Sequence, residues 1–344
     1  MRLSKVIERL YLKVFVGIVV TPHETVVSVA LMKGSEVVQS KKETFETTAV
    51  SEAMVNFIQN NLSETPLYYI ACLNPAQSQG VIPVCNEKEA AAYTDLSTAL
   101  TLCHKNGWML YSSKPEVDTL QRRYRSFGLD FIFSPFVVLE HFFADKVSTE
   151  AALYVLVQES QLSIAVFEEG RVLFGEHAHV EAEEALPEED EETHISFDFE
   201  GEGLGEGIHL DDIDAIDDLE GLDDLGSIED LDAIEDIDEF AEEISDFTEE
   251  QGEGAGAESE DSLEAFGIDY KRFETIQRAL QRFYGDERYE NKFVETVYIA
   301  DGFGVSDDMK RFLEEELFLK VVIRHIDLAG EVVKLAKREA DHAV

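Results

Sequence analysis

Few residues in this chain have both the type and the spacing for chemistry. His177 and His179 stand two apart, which places them on one face of a strand where they can share a metal ion, but the sequence shows no third ligand. Ser112-Ser113-Lys114 sets two hydroxyls beside an amine with no base partner to activate them. Cys72, Cys85 and Cys103 lack metal-ligand spacing and form an odd set, which fits core thiols in a reducing cytoplasm. The single tryptophan, Trp108, reads as core. Residue types alone assign no catalytic residue and no metal site.

The strongest structural signal spans residues 294–327. Residues 294–300 are β-branched and aromatic, a buried strand. Asp301-Gly302-Phe303-Gly304 follows as a tight turn in which glycine is free to take a positive φ. Ser306 caps a helix whose positive N-terminal end suits Asp307 and Asp308, and Met309, Phe312, Leu313 and Leu317 share one of its faces. Residues 319–323 make a second strand, so the unit predicts a parallel crossover pair. Upstream, residues 14–20, 25–32 and 36–45 read as a meander of three strands, 50–62 as a helix, and 67–72, 107–112 and 131–133 as further strands. Helices open at Pro115 and Pro135, and residues 90–104 read as helical in part. A second meander covers residues 151–157, 162–167 and 171–174, and another apolar stripe, Phe273, Ile276, Leu280, Phe283 and Tyr284, marks a helix.

Charge divides the chain sharply. The formal net charge is −45, and residues 181–264 hold 37 Asp and Glu with no Lys or Arg, leaving 36 acids against 28 bases elsewhere. A mildly acidic globular protein is thus interrupted by one intensely acidic arm, a balance that argues against nucleic acid as a partner. No apolar run is long enough for direct membrane insertion; residues 10–20 form a short run that holds Lys13. From Leu210 to Phe240 a Leu, Ile or Phe recurs at every third position, a period that fits neither helix nor strand. Such acidic-hydrophobic alternation is expected to be disordered alone and to suit docking on a basic protein partner, with Ile213, Ile216, Leu219, Ile234, Ile237 and Phe240 as the contact residues. The alternatives are a solubilising linker and self-docking onto Arg122-Arg123-Arg125. The arm has no EF-hand spacing for Ca²⁺.

In order, these elements resemble the actin-like ATPase superfamily, in the branch of the type IV pilus protein PilM and the cytoplasmic part of the secretion protein GspL. IADGFGVSDDMKRFLEEELFLKV is similar to the family's strand, Gly-Gly turn and helix ending in "eeLgi-pV", and ALQRFYGDERYENKFVETVYIADG to the segment before it. KPEVDTLQRRYRSFGLDFIFSPFVVLEHFF resembles the stretch that links the two lobes, and AALYVLVQESQLSIAVFEEGRVLFGEH the second strand-turn-strand. The resemblance implies an α/β, two-lobed, actin-like ATPase (ribonuclease H-like) fold. Residues 1–150 would form the first lobe and the crossover, 151–182 the start of the second lobe, 183–264 the acidic arm in place of one subdomain, and 265–344 the remainder with a C-terminal helix.

Such ATPases hold phosphate between two hairpin loops, each with an Asp-x-Gly. Here the Asp positions fall on Val19 and Leu156 and the Gly positions on Thr21 and Gln158. Pro22 has no N–H to donate, and Glu159 brings negative charge to the second loop. The Gly-Gly of the adenosine turn falls on Asp301 and Gly302, followed by Phe303, a ring where an adenine would lie. The resemblance therefore implies a pseudo-ATPase without cofactor. It would be a cytoplasmic scaffold that grips the tail of a PilN-like bitopic inner-membrane protein in a pilus, secretion system or flagellar motor, and associates into a ring of copies. One alternative is a nucleotide-binding actin-like ATPase or sugar-kinase relative that holds ATP with Mg. Another is an acidic regulator that mimics nucleic acid.

Overall fold

Two runs of β-branched residues, one in each half of the chain, build the same strand plan twice. The computed structural model describes residues 11–34, 36–147, 149–180 and 256–343. β1 (Leu12–Val20), β2 (Thr25–Lys33) and β3 (Glu36–Phe45) form an antiparallel meander, and β4 (Tyr68–Leu73) adds parallel to β1. The chain then makes a small sheet from β5 (Gln79–Ile82), β6 (Ala99–Cys103) and β7 (Met109–Ser113), in the order β5-β7-β6, before β8 (Phe131–Phe133) completes the first sheet beside β4. β9 (Ala152–Val157), β10 (Gln161–Glu168) and β11 (Arg171–His179) repeat the meander. β12 (Thr296–Asp301) and β13 (Lys320–His325) add parallel to β9, as the crossover signal predicts. The two large sheets run β3-β2-β1-β4-β8 and β11-β10-β9-β12-β13, one topology used twice.

Seven helices among the described residues pack on these sheets: α1 (Glu52–Leu62), α2 (Glu87–Ala90), α3 (Lys114–Arg123), α4 (Pro135–Phe142), α5 (Gly256–Gly285), α6 (Asp307–Glu315) and α7 (Leu328–Ala343). Ser51 and Ser306 cap α1 and α6 by accepting the N–H of Met54 and of Asp308, each at 3.2 Å. Met54 and Ile58 of α1 and Leu120 of α3 cover one face of the first sheet. Ile276 and Phe283 of α5 and Met309 and Leu313 of α6 cover one face of the second. The other faces of both sheets share a core with α4 and α7, in which Val19, Leu156, Ala300, Ala329 and Val333 belong to one cluster. By their contacts, residues 1–182 and 262–344 fall into one unit. No helix among the described residues is long and apolar enough to cross a membrane.

Three expectations need correction. Residues 90–104 carry little helix: α2 ends at Ala90, and 99–103 pair as the edge strand β6. Helix α5 begins at Gly256, inside the stretch assigned to the arm. Cys72 is a core thiol, its pKa pushed up to about 12 by burial, but Cys85 and Cys103 form a disulfide with their Cα atoms 5.4 Å apart. The strand order β5-β7-β6 brings those two together, which spacing along the chain does not announce.

At one strand position the fold depends on glycine for space. A Cβ on Gly17 would lie 2.4 Å from the Ala329 carbonyl oxygen and 2.9 Å from Val333 Cγ2, so α7 packs on bare backbone there. Gly17→Ala improves strand propensity in isolation, yet it should destabilise the protein by about 1–3 kcal/mol through overpacking. Urea denaturation measures this, and a variant as stable as the parent would mean that α7 has room to move.

Candidate functional site

The C-terminal ends of β1, β9 and β12 meet at a cavity of about 290 Å³ between the lobes. Thr21 and Pro22 supply one wall, Gln158 and Glu159 a second, Gly302 and Phe303 a third. Four of the six loop positions singled out from the sequence, Val19, Thr21, Gln158 and Gly302, thus line one cavity. Leu156 does not reach it; it is fully buried, and Val19 is nearly so, both within the core shared with α7. Asp301 turns inward on its own loop, where Oδ1 accepts the N–H of Phe303 at 3.2 Å and of Gly304 at 2.6 Å. Ile213, Ile216, Leu219, Ile234, Ile237 and Phe240 lie outside the described residues.

One backbone donor on each of these three turns is engaged within the chain. Thr21 N–H donates to the Glu24 carbonyl (2.9 Å), Gln158 N–H to Gln161 (3.0 Å) and Gly302 N–H to Val157 (3.0 Å). Gly302 is glycine because a Cβ would meet the Val157 oxygen at 2.9 Å and Leu328 Cδ1 at 3.0 Å. Glu159, the carboxylate on the cavity wall, faces His23 from the first turn at 3.6 Å. Mg·ATP requires donors aimed at phosphate and carboxylates free for the metal. The residues present do not fit it: the Asp positions are aliphatic and buried, and these donors are already used.

A buried ion pair ties the turns together. Arg272 and Asp269 on α5 are each 3% exposed and pair at 2.8 Å. The guanidinium also donates to the Gly304 carbonyl (3.1 Å) and the Gln158 carbonyl (3.4 Å), and lies 5.7 Å from the Phe303 ring centroid. Asp269 Oδ2 accepts the N–H of Ser306 at 2.9 Å. One arginine therefore joins the turn after β9 to the turn after β12. Residue types alone miss this pair, because Asp-x-x-Arg on a helix reads as a solvated i,i+3 contact. The available signal is register: Asp269 continues the apolar stripe of Phe273, Ile276, Leu280 and Phe283.

The other candidates do not assemble. His177 Nδ1 lies 2.9 Å from Ser163 Oγ, and burial holds the imidazole down at about 4, while His179 lines the cavity. Among the described residues no three His, Cys, Asp or Glu gather as a metal site. Ser112 Oγ accepts from Asn74 Nδ2 at 2.9 Å, a donor that cannot act as its base. Trp108 is fully buried.

A duplicated five-strand sheet plan with a cavity between the lobes defines the class: this is the actin-like ATPase fold in the form carried by PilM. The structure is similar to that of the PilM-PilN type IV pilus biogenesis complex, at 11% identity and a TM-score of 0.51, covering 94% of this chain and 97% of that one. It is similar also to a Bacteroides thetaiotaomicron protein with actin-like ATPase fold and unknown function (10% identity, TM-score 0.43, 98% of each chain). A third similar structure is the ethanolamine utilization protein EutJ from Carboxydothermus hydrogenoformans (12% identity, TM-score 0.40, 94% of this chain and 88% of that one). By sequence the chain belongs to the family described as a domain of unknown function (DUF8341), matched over residues 153–341. Residues 11–140 match a second domain of unknown function, DUF8569. No curated protein matches the sequence.

Two measurements check this account of the site. Arg272→Met leaves the Asp269 carboxylate buried without its cation and should cost about 3–5 kcal/mol in urea denaturation, whereas Asp269→Asn combined with Arg272→Met should recover part of the loss. A fully stable single variant would mean the pair does not hold the turns. For His177 the unfolded imidazole titrates near 6.5 and the folded one near 4, so the unfolded state binds more protons between those values. Stability should therefore fall as pH drops from about 6.5 to about 4, with His104, likewise held near 4 by burial, contributing in the same sense. His177→Gln should flatten that slope by on the order of 2–3 kcal/mol across the window, read from unfolding midpoints at each pH.

Proposed function

We propose that this protein is a non-catalytic, PilM-like scaffold of an envelope-spanning machine, and that it grips the short cytoplasmic tail of a bitopic inner-membrane protein. One observation carries the reading: a groove of about 550 Å³ formed by two strands, each of which ends its sheet. Among the described residues β8 pairs with β4 alone, and β6 with β7 alone. Leu100 and Leu102 of β6 are 42% and 65% exposed, and Leu110, Phe131, Phe133 and Val137 line the groove with them. An apolar trough beside free strand edges suits an extended peptide, whose main chain pairs with an edge while alternate side chains enter the trough. The structural likeness to a complex of PilM with PilN supports the same occupant.

On this reading the interlobe cleft holds no Mg·ATP, the protein works in the cytoplasm at the inner membrane through its partner, and the arm docks a basic protein through its apolar threes. Cys103 lines the groove, and a reducing cytoplasm would keep the Cys85–Cys103 pair open, so the tail would meet the dithiol form. Purification of the parent and of Leu102→Lys from gently solubilised membranes tests the reading. A bitopic protein with a short cytoplasmic tail should accompany the parent and fall about tenfold or more in the variant, with the unfolding midpoint unchanged. A variant that keeps this partner, or soluble metabolic enzymes in its place, would overturn the groove assignment. Calorimetry with millimolar Mg·ATP should give no binding heat; micromolar affinity would restore the ATPase alternative.

A further inference from the structure

The second lobe presents the two most exposed large apolar side chains among the described residues, Phe318 at 87% and Phe293 at 78%. They precede β13 and β12, adjacent parallel strands in which Thr296 lies beside Lys320 and Lys320 N–H donates to the Glu295 carbonyl at 2.8 Å. Both residues therefore stand at the same end of the sheet. Tyr284, 40% exposed, belongs to the same surface, since its hydroxyl accepts the N–H of Val294 at 3.0 Å.

Phe318 is unfavourable for the chain in two ways. It ends the α6 turn, where Leu319 N–H donates to the Leu313 carbonyl (3.1 Å) and both leucines are buried. There its φ is +54°, a left-handed conformation that glycine takes freely and a bulky residue resists. Glycine would serve the fold better, yet the position holds an aromatic ring almost wholly in water. Strain and exposure at one residue, with a second phenylalanine beside it, are the marks of a surface built for contact.

The rim says what kind of contact. Glu295, Glu315 and Glu316 are exposed and make no ion pair within the described chain, while Lys292 is engaged with Glu168 at 3.7 Å, which leaves Lys320 against three carboxylates. A second copy meeting this patch face to face would bring acidic rim against acidic rim in a chain of net charge −45. Nucleic acid and anionic lipid are disfavoured by the same charges. We infer that this end of the second sheet is a docking surface for a basic protein segment, one that buries Phe318, Phe293 and Tyr284 against an apolar face and sets Lys or Arg opposite Glu295, Glu315 and Glu316. The surface is separate from the groove at β6 and β8.

The test uses the full chain and a fluorescent, amphipathic helical peptide of leucine and lysine, with binding followed by anisotropy at physiological salt. Phe318→Gly should leave the melting temperature equal or higher and weaken the peptide about tenfold, and Phe293→Ser should weaken it similarly. Leu102→Lys, in the groove, should leave it unchanged. Glu295→Gln with Glu315→Gln and Glu316→Gln should weaken it and flatten its salt dependence. Equal affinity in the parent and both phenylalanine variants would mean that the peptide binds by general acidity, and would overturn the proposal. So would a lower melting temperature for Phe318→Gly, a dimer in light scattering that the same change dissolves, or binding to phosphatidylserine vesicles that it abolishes.

Discussion

The contact on which the architecture depends is the one between α7 and the bare backbone of Gly17. The helix carbonyl of Ala329 occupies the space of a side chain there, and Val332, Val333, Ala336 and Ala340 continue the apolar surface along the helix. Residues from both sheets, Val19 on one side and Leu156 and Ala300 on the other, join the same cluster. A carboxylate at Leu156, which does not reach the cavity, would be placed in this dry interior and would cost several kcal/mol unless a cation followed it in. Aliphatic residues at Val19 and Leu156 and close packing against α7 therefore go together.

Around that core the two lobes share a frame and differ in what interrupts it. The first lobe inserts β5, β6 and β7 between β4 and β8; the second inserts the acidic arm and α5 between β11 and β12. The first insertion creates the strand edges of the groove. Within the second, α5 supplies Asp269 and Arg272, which fasten the turns of its own lobe. The frame gives position, and the insertions carry the groove wall and the buried ion pair.

Most strands were legible because a buried strand advertises itself: β9 reads ALYVLV and every residue is buried. β6 was not, because ALTLC has no buried face and becomes a strand only by pairing with β7. That single misreading hid two further features, since the groove wall and the partner for Cys85 both lie on β6. The loop positions Thr21, Gln158 and Gly302 were legible through family resemblance and do converge. The arginine that links two of the turns was not, because a charged i,i+3 pair is ordinarily solvated and only the path of α5 beneath Gly304 and Gln158 buries it.

A turn that binds phosphate must keep its N–H groups unpaired until the ligand arrives, so its shape depends in part on that ligand. Here the N–H groups of Thr21, Gln158 and Gly302 are bonded to neighbouring carbonyls, those of Phe303 and Gly304 to Asp301, and Arg272 spans the gap between two of the turns. Amides bonded in this way need no ligand to complete their hydrogen bonding. Arg272 thus replaces a ligand contact with one internal to the chain, joining the turn after β9 to the turn after β12 at the edge of the cleft.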